Sequence, residues 1–485
     1  MRLAPALLAA AVLTGCTAGG GDASAPAPEV TTQVATATLP RVETDLDLAR
    51  SEPVEDSVYP HVGDPGVDAL HYDLTLDWQP ERRRQLVATA DVTFRATEDA
   101  DSFQLDLAAR LGIRSVLLDG RDAAYSHDGK DLVVAEPVAA DEQYELEVQY
   151  GGRPRPIRAP TTRRDFWGLG WTVEPSGETW TMQEPYGAYS WYPVNDQPSD
   201  KALYDFTITA PRPWTGVANG RLVERSVEDG RQLTRWQLDE PASSYLVTVA
   251  IGDYAHSSNT TEDGLVVDYW YPRGVPGARQ DLSVAASGVD WIEDRLGPYP
   301  FSSLGIVMTD SMSGMETQTM ITLGNNPYVR SAPVIVHELV HQWIGDQVSP
   351  ADWRDVWLNE GMTMLMQALW EDEHGERTLE EMFGEWEARD QELRDTYGPP
   401  GDWDPVQFGG SNIYYLPALM WNELRLELSD QEFFRITRDW LSEHDNQSVT
   451  REQLYDFWEA ETGRELTAFF DAWIMGETTP TVEVP

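Results

Sequence analysis

Cysteine is nearly absent from the 485 residues: Cys16 is the only one, which excludes an intramolecular disulfide and a cysteine nucleophile. Lysine is almost as scarce, occurring only at Lys130 and Lys201, and 82 acidic residues against 35 basic ones leave a net charge of -47. So negative a surface repels nucleic acid and anionic membrane surfaces, so no nucleic-acid partner is expected; weak attraction for cationic ligands is its only bias. Long hydrophobic runs are missing too. The apolar stretch that follows Arg2 ends at Val12, too short to span a bilayer, and no second candidate or internal repeat follows. What is abundant is core material, with 41% hydrophobic residues and 19 Trp, enough for two or three globular domains.

The opening MRLAPALLAAAVLTGC reads as a signal peptide, a basic residue followed by a short apolar run. Its end, Leu13-Thr14-Gly15-Cys16, resembles the bacterial lipobox, which implies a lipid anchor on Cys16; an ordinary signal cleaved nearby is the alternative. Either way the chain is expected outside the cytoplasm, as a membrane-anchored lipoprotein or a secreted protein. Residues 17–57 are rich in Ala, Thr, Pro, Gly, Ser and acids without apolar periodicity, the texture of a flexible linker.

From residue 58 the pattern changes to short alternating runs such as HYDLTLDW (71–78), QLVATADVTFRA (85–96), YDFTITA (204–210) and YLVTVAIGDY (245–254), separated by turn pairs such as Asp119-Gly120. That pattern predicts an antiparallel β-sandwich domain over 58–255. Within it, residues 178–206 (ETWTMQEPYGAYSWYPVNDQPSDKALYDF) do not read as plain strand, and they hold an isolated acid, Glu184. Over 256–485 helical spacing takes over, predicting a mainly α-helical second domain and an α+β chain.

The second domain contains SAPVIVHELVHQWIGDQVSPADWRDVWLNEGMT (331–363). On a helix, His337 and His341 stand four residues apart and project from one face, close enough for both imidazoles to reach one metal ion. Glu360, after an eighteen-residue gap, is the natural third ligand of a single Zn2+, with water in the fourth position at a pKa lowered to about 7. Glu338 lies next to a ligand without being one, and is placed to take a proton from that water as general base. Upstream, a predicted strand (304–310) leads into Ser313-Gly314-Met315-Glu316-Thr317. Backbone groups at Gly314 and Met315 suit pairing with an extended peptide, and Glu316 suits its α-ammonium. Downstream, Tyr414 and Tyr415 each offer a hydroxyl that could donate to an oxyanion.

These residues together resemble the aminopeptidase N family of gluzincin zinc metallopeptidases, over about residues 60–480. HELVH with WLNEG carries most of the likeness; SGMET is similar to the family's GAMEN motif, and EPYGAYSWYPVNDQPSDKA to its β-domain loop that reaches the active site. The resemblance implies a thermolysin-like catalytic domain over 256–485 and hydrolysis of the N-terminal residue from peptides with a free amine. By it His337, His341 and Glu360 are the ligands, Glu338 the base, Glu316 and Glu184 the α-amine partners, and Tyr414 the oxyanion donor with Tyr415 as fallback. Departures are Ser313 and Thr317 at the ends of the GAMEN-like motif, Met182 where many members carry glutamine, Leu416-Pro417 after the tyrosine, and Gln367 where an acid is common. A chain of this length leaves no room for the family's C-terminal helical superhelix, so a more open two-domain form is expected. An open-cleft endopeptidase and a non-catalytic binding protein on the same fold are the two alternatives, and intact Glu338 speaks against the second.

Overall fold

The computed structural model describes residues 44–165, 168–481 and 483–485. Cys16, the lipobox and most of the expected linker lie outside the described residues. The last part of that linker departs from a tether. Leu46–Ala49 form a short 3-10 turn, the Ser51 amide donates to Asp68 at 3.0 Å, the Val54 amide to Ser199 at 3.0 Å, and the Ser57 amide to Asp352 at 2.7 Å. Polar side chains dock this backbone, which is why apolar periodicity gave no sign of it.

Strand β1 (Val67–Trp78) is buried on both faces at its start and from Leu70 on buries alternate residues, as a strand packed mainly on one face does. Together with β2 (Lys201–Pro211) it forms the centre of an eight-stranded sheet. Every pairing in that sheet is antiparallel except this one, which runs parallel from His71 opposite Leu203 to Asp77 opposite Thr209. Parallel strands need a long crossover, and the chain between these two supplies other strands of the same sheet and three strands of a second, five-stranded antiparallel sheet, among them Thr179–Met182. The rings of Trp78 and Trp171 lie 5.4 Å apart and those of Trp171 and Trp191 5.7 Å apart. Such aromatic contacts add about 0.5–1.5 kcal/mol each beyond the area they bury.

The second domain begins with a four-stranded sheet. Its last two strands, β3 (Leu304–Thr309) and β4 (Met320–Gly324), are parallel and fully buried. Helix α1 (Ala332–Val340) starts after Ser331 with proline in its first turn, where a missing N–H costs nothing. Helix α2 (Trp357–Glu373) packs against α3 (Asn412–Leu428) at one tight spot, where a Cβ on Gly361 would collide with Pro417. The glycine of WLNEG is therefore a close-approach residue that lets two site-bearing helices meet. Pro417 lies inside α3, so the helix begins ahead of it and carries Tyr414 and Tyr415 in its first turn.

Polar contacts fasten the β-rich domain beneath the second one. Lys201 Nζ donates to the carbonyls of Asp346 at 2.8 Å and Gln347 at 3.2 Å, Asn219 Nδ2 donates to Gln318 O at 2.6 Å, and the Tyr245 hydroxyl to Gly345 O at 3.1 Å. These bonds land on the segments just after Glu316 and just after His341, so the first domain fixes the floor of the site in the second.

Candidate metal centre and active site

Helix α1 carries His337 and ends at His341, and their Nε2 atoms come within 3.2 Å of each other. Glu360, in the first turn of α2, places Oε2 3.4 Å from both. The three residues form a group whose donor atoms all lie within 4.8 Å, the spacing a single small cation needs. His341 Nδ1 lies 3.0 Å from the Ile344 carbonyl, so Nδ1 carries the proton and Nε2 presents its lone pair to the group. Gln367 points its amide nitrogen at Glu371 Oε1, 2.8 Å away, so one turn farther along α2 a carboxylate joins the amide that stands where the family often has an acid.

Around these ligands lies a cavity of about 690 Å3 lined by Glu184, Gly314, Met315, Glu316, Glu338 and Tyr414 among others. Glu338 follows His337 and is buried against Gly314. Glu316 stands beyond the Met315–Thr322 bridge that clips the SGMET segment to β4; the Met315 amide donates to Thr322 O at 2.9 Å and the Thr322 amide returns a bond to Met315 O at 3.0 Å. Gln342, next to the second histidine, donates to the Glu316 carbonyl at 2.9 Å, tying that segment to the ligand helix. Glu184 arrives from the other domain, just past strand Thr179–Met182.

The departures from the motifs have structural explanations. Thr317 is fully buried and its hydroxyl pairs with Met320 O and, at 3.0 Å, with Thr322 Oγ1, so it braces the segment from behind. Met182 faces the cavity, whereas its neighbour Gln183 is buried and donates to the carbonyls of Ser244 and Val247 at 2.8 and 2.9 Å. The two tyrosines separate: the Tyr414 ring stacks toward His337 at 6.2 Å, while Tyr415 stacks on Trp386 at 4.9 Å.

The electrostatics call for a cation. Burial pushes the carboxyls of Glu184, Glu316 and Glu338 up, and for Glu184 and Glu338 the nearby Glu316 charge adds to it. Burial would raise Glu360 as well, but the charges of the nearby His341 and His337 imidazoles hold it well below the usual carboxylate range. The imidazoles are driven apart: burial lowers His337, whereas at His341 the Glu316 and Glu360 carboxylates outweigh burial and raise it. Among the described residues, Glu184 Oε1, Glu316 Oε1, Glu360 Oε2 and His337 Nδ1 are buried with no hydrogen-bond partner. Two nitrogens and a carboxylate oxygen at this spacing fit zinc, and the donor set suits it over the harder magnesium and calcium.

Two polar residues of the site carry no motif. Arg163 and Asp165, from the β-rich domain, line the cavity, and the Arg163 guanidinium touches the Tyr414 hydroxyl. Nothing local in TTRRDF marks them, because only the meeting of two domains brings them to the site.

Residues 68–246 match the Peptidase M1 N-terminal domain and residues 281–473 the Peptidase family M1 domain. Among curated proteins, a glutamyl aminopeptidase of Sus scrofa is 29% identical over 58% of this chain and 32% of its own length. Aminopeptidase N of Streptomyces lividans is 24% identical over 78% of this chain and 44% of its own. The chain thus spans less than half the length of these curated relatives. Among solved structures, an M1 zinc metallopeptidase from Deinococcus radiodurans superposes with a TM-score of 0.79 at 25% identity, covering 89% of this chain and 99% of that one. A mutant of the Deinococcus radiodurans M1 zinc metallopeptidase bound to a Tyr-Ser-Ala substrate aligns with a TM-score of 0.77 at 25% identity, over 89% of this chain and 100% of that one. With both domains matched in order and the HELVH and WLNEG segments meeting at one point, the chain belongs to peptidase family M1.

Proposed function

We propose that this protein is a zinc-dependent aminopeptidase that removes the N-terminal residue from peptides with a free amine. The observation that carries this reading is the convergence of Glu184 and Glu316, from different domains, on the cavity of the metal group, each with a buried oxygen that lacks a partner among the described residues. Two such carboxylates suit one ammonium group, and they fix the distance from the peptide's first nitrogen to the ligands. The names of the relatives, aminopeptidases in each case, and the tripeptide held by the Deinococcus protein support the same substrate class.

His337, His341 and Glu360 would hold one zinc ion per chain, which when bound supplies a Lewis acid and a lowered water pKa. Glu338 takes the proton from the attacking water and returns it to the leaving amine. The Tyr414 hydroxyl donates to the scissile carbonyl oxygen as charge builds there. Gly314 and Met315 offer main-chain groups to the extended substrate beside β4, and Met182 forms part of the wall that meets its first side chain.

The test is Glu316→Ala assayed on matched peptides with free and acetylated N-termini. A loss confined to the free peptide is expected; equal loss on both, or none, overturns the amine assignment. Internal cleavage of the acetylated peptide by the wild type would favour an endopeptidase, a reading with one structural support: a neighbouring cavity of about 760 Å3 shares Asp165, Met182 and Met312 with the active-site cavity, leaving room beyond the amine-binding end. A binding protein without turnover would hydrolyse no more than its own Glu338→Gln variant.

Placement outside the cytoplasm, with a lipid on Cys16 as anchor, is part of the same proposal and rests on the LTGC sequence. Cys16→Ser should move the protein from the membrane to the soluble fraction of its host; an unchanged distribution contradicts a lipid anchor.

A further inference from the structure

The loop ahead of α3 is stitched to the β-rich domain. The Phe408 amide donates to the Pro160 carbonyl at 2.9 Å, and the Thr161 hydroxyl donates back to the Phe408 carbonyl at 2.7 Å. Arg163 crosses the junction at the same place. Its Nη1 donates to the Gly409 carbonyl at 3.4 Å and to the Tyr414 hydroxyl at 3.2 Å, its Nε donates to Asp165 at 3.1 Å, and Nη2 also pairs with Asp165. Its own amide donates to Thr161 Oγ1 at 3.1 Å. The guanidinium is therefore held by a carboxylate on one side and by the entrance of α3 on the other.

The direction of the bond to Tyr414 has a chemical consequence. A guanidinium has N–H donors and no lone pair, so the phenol oxygen is the acceptor and its own hydrogen is left for another partner. Among the described residues the Tyr414 hydroxyl has no acceptor of its own, and the residue lines the cavity of the metal group. A charged donor on the oxygen also polarises the O–H and makes it a stronger donor.

We propose that Arg163 is a positioning residue: it orients the Tyr414 hydroxyl as a donor to the reacting carbonyl oxygen. The junction between the two domains thereby becomes part of the active-site geometry. This rests on the role given to Tyr414 above. A loop of the β-rich domain, in a segment without any motif, then governs the rate of a reaction whose ligands and base all lie in the other domain.

The experiment is a double-mutant cycle on zinc-loaded protein with a fluorogenic amino-acid amide, using Arg163→Ala, Tyr414→Phe and the pair. Arg163→Ala should lower kcat roughly 10- to 100-fold, the range for a hydrogen bond to a charged group, with KM changed by less than about twofold. The pair should be no slower than Tyr414→Phe alone, and both Arg163→Lys and guanidinium ion added to Arg163→Ala should restore part of the rate. Losses that multiply in the pair, or a raised KM with kcat unchanged, overturn the proposal. If the wild type hydrolyses no amide at all, the functional reading fails on its own account. The Arg163–Tyr414 link is then read from melting of the zinc-free protein, where a pair shift smaller than the sum of the single shifts supports it and a simple sum refutes it.

Discussion

The Cβ that Gly314 lacks would lie 2.7 Å from the carboxyl carbon of Glu338 and closer still to its Oε1. The backbone of the SGMET segment and the side chain of the base thus share one contact surface, and only glycine leaves room for both. A carboxylate is the end of a flexible side chain, so an added methyl moves Glu338 and leaves the fold in place. Gly314→Ala is expected to lower kcat on the order of 10²-fold, the scale of a displaced general base, with zinc content and melting temperature near wild type. Rate and metal analysis on one preparation check this; unchanged kcat would show that Glu338 does not act from the position it occupies.

The two adjacent tyrosines give a paired prediction. Tyr414 stacks toward His337 and lines the cavity with a hydroxyl that accepts from Arg163, whereas the Tyr415 ring is stacked on Trp386. Tyr414→Phe should reduce kcat roughly 10²-fold, as loss of one oxyanion donor does, and Tyr415→Phe should change it little. The reverse order would move the role to Tyr415.

Lys201 gives a pH signature away from the metal group. It is fully buried under the floor of the site; burial drives its pKa down to about 7, against the opposing pull of Asp346 and Asp445. Between that value and its ordinary 10.5 the unfolded chain binds a proton that the folded one does not, so the Lys201 contribution to stability rises with pH across this window. Below about 7 both states are charged and the burial cost is fully present. The difference in unfolding free energy between wild type and Lys201→Met should therefore tilt toward the wild type from pH 7 to pH 9, by at most about 1.4 kcal/mol per unit. A difference independent of pH would show that Lys201 keeps its charge throughout.

Removing metal should destabilise the protein. The carboxylates of Glu184, Glu316, Glu338 and Glu360 all line one cavity, three of them with buried oxygens that, among the described residues, lack a hydrogen-bond partner and that a bound cation would help balance. A ligand at 100 times its dissociation constant stabilises by about 2.7 kcal/mol, so dialysis against chelator should lower the melting temperature and zinc should restore it. His341→Ala should melt at one temperature with or without zinc; a zinc-dependent rise in that variant would place the binding elsewhere.

The parts of the site that depend on local geometry were legible in the chain. His337 and His341 share a helix face by simple periodicity, and Glu360 follows in a second helix within the same stretch. Tyr414 was less legible, because Pro417 reads as a helix breaker although α3 runs through it. The parallel pairing of β1 with β2 joins strands far apart in sequence, and alternation specifies which face is buried, not which neighbour is bonded. Arg163 was invisible: its contacts with the catalytic domain, to Gly409 and Tyr414, lie more than 240 positions later, and no motif surrounds it. The docking of residues 51–57 rests on backbone bonds to Asp68, Ser199 and Asp352, which leave no hydrophobic trace.

The most direct measurement is hydrolysis of a panel of fluorogenic amino-acid amides by purified protein, followed through chelation and zinc return. Activity that disappears with chelator, returns with about one equivalent of zinc per chain and stays absent in Glu360→Gln is the predicted result. Hydrolysis that persists after complete metal removal, or that survives in Glu360→Gln at the wild-type rate, would contradict the claim that these two histidines and this glutamate hold the ion on which the chemistry depends.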